Sequence, residues 1–136
     1  MKYLPVKKKS RILVVQDDPV LLGLVSGSLR PEGHDIIERR SPLEALVISA
    51  GEYQRIDLVV AEIDSRPMSG LELANRLSRK GIDVPILFMS ASHGLAAVIA
   101  RSLGQSSVIE EPFTGDQLRS SVKKCLAGQR RKPRPD

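Results

Sequence analysis

Five short apolar runs, Ile12–Val15, Asp35–Ile37, Leu58–Ile63, Val84–Met89 and Ser107–Ile109, alternate along the chain with stretches whose apolar residues recur at helical spacing. Runs this short and this apolar suit strands buried on both faces, and an intervening helix is the ordinary link between parallel strands. The helical stretches are marked by Leu21, Leu24, Val25 and Leu29, then by Leu43, Leu46, Val47 and Ala50, and more weakly by Leu71, Ala74 and Leu77. Leu95, Val98, Ile99 and Leu103 mark a fourth helix, and Leu118, Val122, Cys125 and Leu126 a fifth. Ser41 to Glu44, with Pro42 at the first helical position, reads as a capping box, as does Thr114 to Gln117. Five βα repeats without a long hydrophilic spacer predict an α/β fold, a doubly wound five-stranded parallel sheet in three αβα layers. Such a sheet carries its chemistry at the carboxyl ends of its strands.

A chain of 136 residues with 41% apolar content supports one core. The net charge of +5 would suggest a nucleic-acid partner if it belonged to the folded body. It does not: the ends hold nine basic groups and one acid, which leaves 12 basic and 15 acidic groups between them. The boundaries expected are a basic tail at 1–10, the domain at 11–127, and a basic, Pro- and Arg-rich tail at 128–136 that would equally suit a linker in a longer protein. The first tail holds a single aromatic, Tyr3, and the second none, and neither has a helical repeat, so both read as solvated ends rather than nucleic-acid contacts. The lone Cys125 sits on an apolar helix face as a small core residue and forms no internal disulfide. The only apolar run near the start, Ile12–Val15, is too short for a membrane span or a signal-peptide core, so a cytoplasmic protein without membrane contact is expected.

Reading the strand ends alone, the first strand runs into Gln16, Asp17 and Asp18, and the third into Glu62 and Asp64. The fourth ends at Ser90 and the fifth at Glu110 and Glu111, so carboxylates converge on one edge. The segments ILVVQDDP (12–19), DLVVAEID (57–64), PMSGLEL (67–73), PILFMSA (85–91) and EPF (111–113), in this order and spacing, resemble the response-regulator receiver family of two-component signalling, over about residues 11–127. The resemblance implies the flavodoxin-like (βα)5 receiver fold. In that family two acidic residues after the first strand help bind Mg²⁺, an Asp ending the third strand accepts a phosphoryl group, a Thr or Ser ends the fourth, and a Lys precedes the Pro after the fifth. The resemblance places Gln16 and Asp17 at the acidic pair, Glu62 at the phosphoacceptor, Ser90 at the hydroxyl, Glu111 at the lysine and Val108 at the aromatic switch position.

Phosphoryl transfer to a carboxylate needs a metal and a fixed cation to neutralise the phosphoryl oxygens, with the nucleophile in line. Glu62 is one methylene longer than Asp, and Glu111 sets an anion where the family has a cation. Together they predict a degenerate, pseudo-receiver site with no required cofactor and no enzymatic turnover. Two readings of Glu62 stand side by side: loss of the acceptor, or a fixed negative charge imitating phosphoaspartate. Asp17, Asp18 and Glu62, with Glu111, offer hard oxygen ligands that suit Mg²⁺ or Ca²⁺; the competing reading is mutual repulsion with one carboxyl pKa raised.

The helix at Leu95–Leu103 carries Ala96, Ala97, Ala100 and Arg101 opposite its apolar stripe, which predicts a protein interface. In receivers the fourth helix, fifth strand and fifth helix form a common dimer or partner surface, so the expected partners are a histidine kinase, a phosphotransfer or output protein, or a second copy. Gly23 and Gly27 weaken the first helix, and close packing by a neighbour is one explanation. His34 and His93 receive no role. Three functions compete: an adaptor working through protein contacts without phosphorylation, a phosphorelay receiver still accepting a phosphoryl group at Glu62 or Asp64, and nucleic-acid binding by the basic tails.

Overall fold

The structure, a computed structural model, describes residues 10–91, 98, 102 and 106–128. Its strands are β1 (Arg11–Val15), β2 (Asp35–Arg39), β3 (Leu58–Glu62), β4 (Ile86–Ser90) and β5 (Ser106–Glu110). All neighbours pair in parallel, in the order β2-β1-β3-β4-β5. The expected doubly wound, flavodoxin-like sheet is therefore present, with each strand within two residues of its apolar run. The chain leaves β1 for the β2 edge and returns to the other side of β1 as β3, so the crevice of the fold opens at the carboxyl ends of these strands.

Strand periodicity sends alternate side chains to opposite faces and so builds two cores. On one face Ile12, Val14, Leu58, Val60, Leu87 and Met89 pack with helices α1 (Pro19–Leu29) and α5 (Gly115–Ala127). On the other, Leu13, Val15, Val59, Ala61 and Phe88 meet α2 (Pro42–Leu46), α3 (Ala50–Tyr53) and α4 (Gly70–Arg79). Cys125 is buried in the first of these cores. Helix α4 stops where Gly81 takes φ +76°: its N–H bonds Ser78 and the next N–H bonds Leu77, a Schellman closure that a side chain at 81 would strain.

Two helices depart from the expected stripes. In α1 the buried positions are Leu22, Val25, Ser26, Ser28 and Leu29, while Leu24 is 45% exposed and Leu21 only partly covered. The phase is turned because Ser26 buries its hydroxyl, donating to the Glu38 carboxylate at 2.6 Å. The single helix expected over Leu43–Ala50 is two short ones, since Ser49 recaps the chain by accepting from the Glu52 N–H. Pro42, Ala45, Ile48 and Tyr53 are buried there instead, leaving Val47 82% and Leu43 50% exposed. Ser41 caps α2 as expected, but the Glu44 carboxylate reaches the Arg40 N–H rather than that of Ser41, so the capping box is incomplete. At Thr114 and Gln117 the box is complete.

Close packing by the described elements does not explain the glycines of α1: a Cβ added at Gly23 or Gly27 meets nothing within 4 Å, and neither has positive φ. Gly23→Ala and Gly27→Ala should each stabilise the domain by about 1 kcal/mol, read as a higher urea midpoint at unchanged slope. A lowered midpoint would show that the space is needed. Of the helix expected at Leu95–Leu103, only Val98, helical and 55% exposed, and Ser102 are described. The interface residues Ala96, Ala97, Ala100 and Arg101, like His93 and both tails apart from Ser10 and Gly128, lie outside the described residues.

Candidate functional site

The end of β1 delivers Gln16, 3% exposed, into the crevice, with its N–H extending the ladder to the Arg39 carbonyl. Both ends of its amide are engaged. Oε1 accepts the Asp18 N–H at 3.0 Å, and Nε2 donates to Glu62 Oε1 at 3.1 Å. The Asp18 N–H can only donate, which fixes the orientation of the amide and points its NH₂ at the carboxyl of Glu62.

Glu62 ends β3, in register with Met89 of β4. Its carboxyl is pushed up to about 7, first by burial and then by the hydrogen bond with the Glu111 carboxyl, while the Gln16 donor pulls the other way. The negative charges of Glu111 and Asp64 add to the rise. Glu111 follows β5, its N–H held by the Ser90 carbonyl at 2.8 Å. Glu111 Oε2 is buried and has no hydrogen-bond partner among the described residues. The crevice thus brings Gln16, Glu62 and Glu111 together as one chain of contacts.

Asp17 and Asp18 do not join it. Asp18 is the N-cap of α1, its carboxylate accepting the Val20 N–H at 2.9 Å, and Asp17 is exposed, its carbonyl accepting from the Arg40 guanidinium. Among the described residues no three His, Cys, Asp or Glu side chains are gathered to hold a metal. The donor set also fits Mg²⁺ poorly: a hard cation takes oxygen ligands, yet the Gln16 oxygen is spent on backbone and its NH₂ faces the carboxylate. Asp17, Asp18 and Glu62 are thus not assembled into the ligand set that the sequence suggested.

Ser90 is 1% exposed at the end of β4, in register with Glu110. Val108 stands opposite Phe88 and packs, partly buried, against the core of α2–α4. A β-branched side chain with a single torsion has no ring to swing between core and surface. Beside the crevice lies an open groove of about 780 Å³, lined by Asp64, Arg66, Met68, Glu72 and Arg76 among others. Glu72 already engages Arg76 at 3.1 Å.

Two structural residues carry more of this edge than the sequence suggests. Gly70 opens α4 directly against the end of β3: a Cβ there would lie 2.3 Å from the Glu62 carbonyl oxygen. Tyr53 is 1% exposed and donates its hydroxyl to the Ala45 carbonyl at 2.7 Å, tying α3 to α2. Burial pushes that phenol up to about 12, against an opposing pull from Arg39. The signal for Gly70 is a glycine at a helix start just after a strand; for Tyr53, an aromatic flanked by polar residues gives none.

The response regulator receiver domain family matches residues 12–123. The transcriptional regulatory protein TcrX of Mycobacterium tuberculosis is 32% identical over 108 residues, covering 79% of this chain and 45% of that protein. The nitrogen assimilation regulatory protein NtrX of Azorhizobium caulinodans is also 32% identical over 108 residues, 79% of this chain and 24% of that protein. The chain therefore spans less than half the length of these relatives. Among solved structures, the signal receiver domain of a Luxo repressor protein from Vibrio parahaemolyticus superimposes with a TM-score of 0.78 at 22% identity, covering 89% of this chain and 92% of that one.

Proposed function

This chain belongs to the response regulator receiver domain family, and from that premise we propose that it is a receiver module that signals through protein contacts without being phosphorylated. The observation that carries the proposal is the Gln16–Glu62–Glu111 contact chain. An acceptor carboxyl tied to an amide on one side and to a second carboxyl on the other is neither free nor aimed for in-line attack. Among the described residues the charges felt by Glu62 are those of Glu111 and Asp64, both negative. An incoming phosphoryl group would meet repulsion where transfer requires neutralisation. Its partners, in this proposal, are a histidine kinase, a phosphotransfer protein or an output domain, met through surfaces that need no phosphoryl signal. Among the described residues no helix is long and apolar enough to cross a membrane.

Incubation with a small acyl phosphate and Mg²⁺, followed by intact-mass analysis, should leave the chain unmodified. The variant combining Gln16→Asp, Glu62→Asp and Glu111→Lys restores the family's residue types and should gain one phosphoryl group. A stable adduct on Glu62 or Asp64 of the unaltered chain would overturn the proposal.

A further inference from the structure

We propose that the outer face of α1 is a self-association surface, on which a second copy of this chain docks antiparallel about a two-fold axis passing between Gly23 and Leu24. Helix α1 reads PVLLGLVSGSL, without one charged residue from Pro19 to Leu29. A helix that is apolar all round is ordinarily buried all round. In this domain only Leu22, Val25, Ser26, Ser28 and Leu29 are buried. Val20, Gly23, Leu24 and Gly27 share the outer face, at i, i+3, i+4 and i+7, and all four are exposed. No described element lies over them: Val20 is 79% and Leu24 45% exposed, and a Cβ at either glycine meets nothing within 4 Å. The surface is distinct from the expected interface at Leu95–Leu103, and it does not depend on whether Glu62 is phosphorylated.

What selects a second copy as the occupant is that the face complements itself in size and in charge. Antiparallel pairing about that axis sets Val20 against Gly27 of the second copy and Leu24 against its Gly23, each contact occurring twice by symmetry. A large apolar side chain therefore meets a glycine at every position, and the missing Cβ atoms let the helix axes approach to about 8 Å, the close end of helix packing. The same register sets Asp17, before the helix, against Arg30, after it, and both are exposed. Arg40 is engaged at the Asp17 carbonyl, and Arg30 reaches Glu38 only at 3.6 Å, so the Asp17 carboxylate and the Arg30 guanidinium retain capacity for each other. Parallel pairing would instead set valine on valine, glycine on glycine and Asp17 on Asp17. Stable complexes cover about 800 Å² on each partner, more than one helix face about 16 Å long offers, so the dimer is weak, with Kd on the order of 100 µM.

The test is sedimentation velocity of the full chain at low salt, from about 5 µM to about 1 mM, across which monomer should convert to dimer. Gly27→Leu is the diagnostic variant. The space at Gly27 is open, so the domain stays folded, which circular dichroism and the urea midpoint verify. The added side chain stands where Val20 of the second copy must lie, and association should weaken by about tenfold or more. On an apolar patch without a fixed register, the same leucine would strengthen association. Asp17→Arg sets two arginines against each other and should weaken the dimer by roughly threefold to tenfold, and adding Arg30→Asp should restore it. A chain that stays monomeric at about 1 mM overturns the proposal. So does a dimer that folded Gly27→Leu leaves intact or tightens, or a double charge exchange that associates no better than Asp17→Arg alone.

Discussion

Gly70→Ala should destabilise the domain by about 3 kcal/mol, among the larger effects available to a single added methyl group. The Cβ would lie 2.3 Å from the carbonyl oxygen of Glu62, 3.1 Å from its carbonyl carbon and 3.2 Å from Cα of Ile63. All three are backbone atoms at and just past the end of β3, so no rotamer change relieves the clash. Helix α4 would have to retreat, and it is fastened at that point: the Gly70 N–H donates to the Ile63 carbonyl at 3.0 Å, and Ser69 caps the helix through the Glu72 N–H. A retreat also opens the core around the buried Leu73 and Leu77. Gly115→Ala provides the contrast. Its Cβ would approach the Arg119 guanidinium and the Ser28 hydroxyl at 3.0 Å, and the Arg119 side chain can swing away at little cost. Urea unfolding should place Gly115→Ala within about 1 kcal/mol of the unaltered domain and Gly70→Ala well below both. A Gly70→Ala protein as stable as its parent would mean that α4 does not sit as close to β3 as described.

The sheet was legible in the sequence because its inner strands β1, β3 and β4 are buried along nearly their whole length and leave short apolar runs that alternate with stretches of helical period. The faces of α1 were less so. Val20, Leu21, Leu22, Leu24, Val25 and Leu29 surround that helix, and spacing alone permits more than one buried phase. The phase is chosen by a polar contact, Ser26 to Glu38 on the neighbouring strand, which hydrophobic periodicity does not register. In the second helical stretch the stripe Leu43, Leu46, Val47, Ala50 was outweighed by a local cap at Ser49 and by the ring of Tyr53, which fills the core four residues further on.

At the site, residue identity was legible and residue pairing was not. Glu62 and Glu111 announce that the usual acceptor and cation are missing, and their family positions place them on the same edge. What they do there depends on Gln16. Read as a lost acid, Gln16 is merely an absence; in the crevice it is the donor that fixes one side of Glu62, 46 positions away in the chain. Asp18, by contrast, looks like a ligand in the sequence and serves as a helix cap. The same carboxylate chemistry supports either role, and only the position of the Val20 N–H decides between them.

The raised pKa of Glu62 also sets how stability depends on pH. Glu62 has its folded-state pKa raised from 4.5 to about 7, so the folded chain holds a proton that the unfolded chain releases earlier. Stability must then fall as pH rises wherever the native state binds more protons than the unfolded one. The contribution is complete below about pH 4.5, is lost progressively through the interval up to about 7, and is absent above it. Allowing for partial access of solvent to Glu62, the loss is on the order of 2 to 3 kcal/mol. Urea midpoints should therefore drop between pH 5 and pH 8, opposite to the acid-side loss expected of a carboxylate held by a cation. Glu62→Gln replaces the titrating group with one of nearly equal shape that cannot ionise. It should match the parent near pH 5 to within about 1 kcal/mol and exceed it at pH 8 by about 2 kcal/mol. A Glu62→Gln domain that tracks its parent across this range would place the ionisation elsewhere. A domain that instead gains stability toward pH 8 would mean that Glu62 is held as an anion, and that a cation reaches this crevice from outside the described residues.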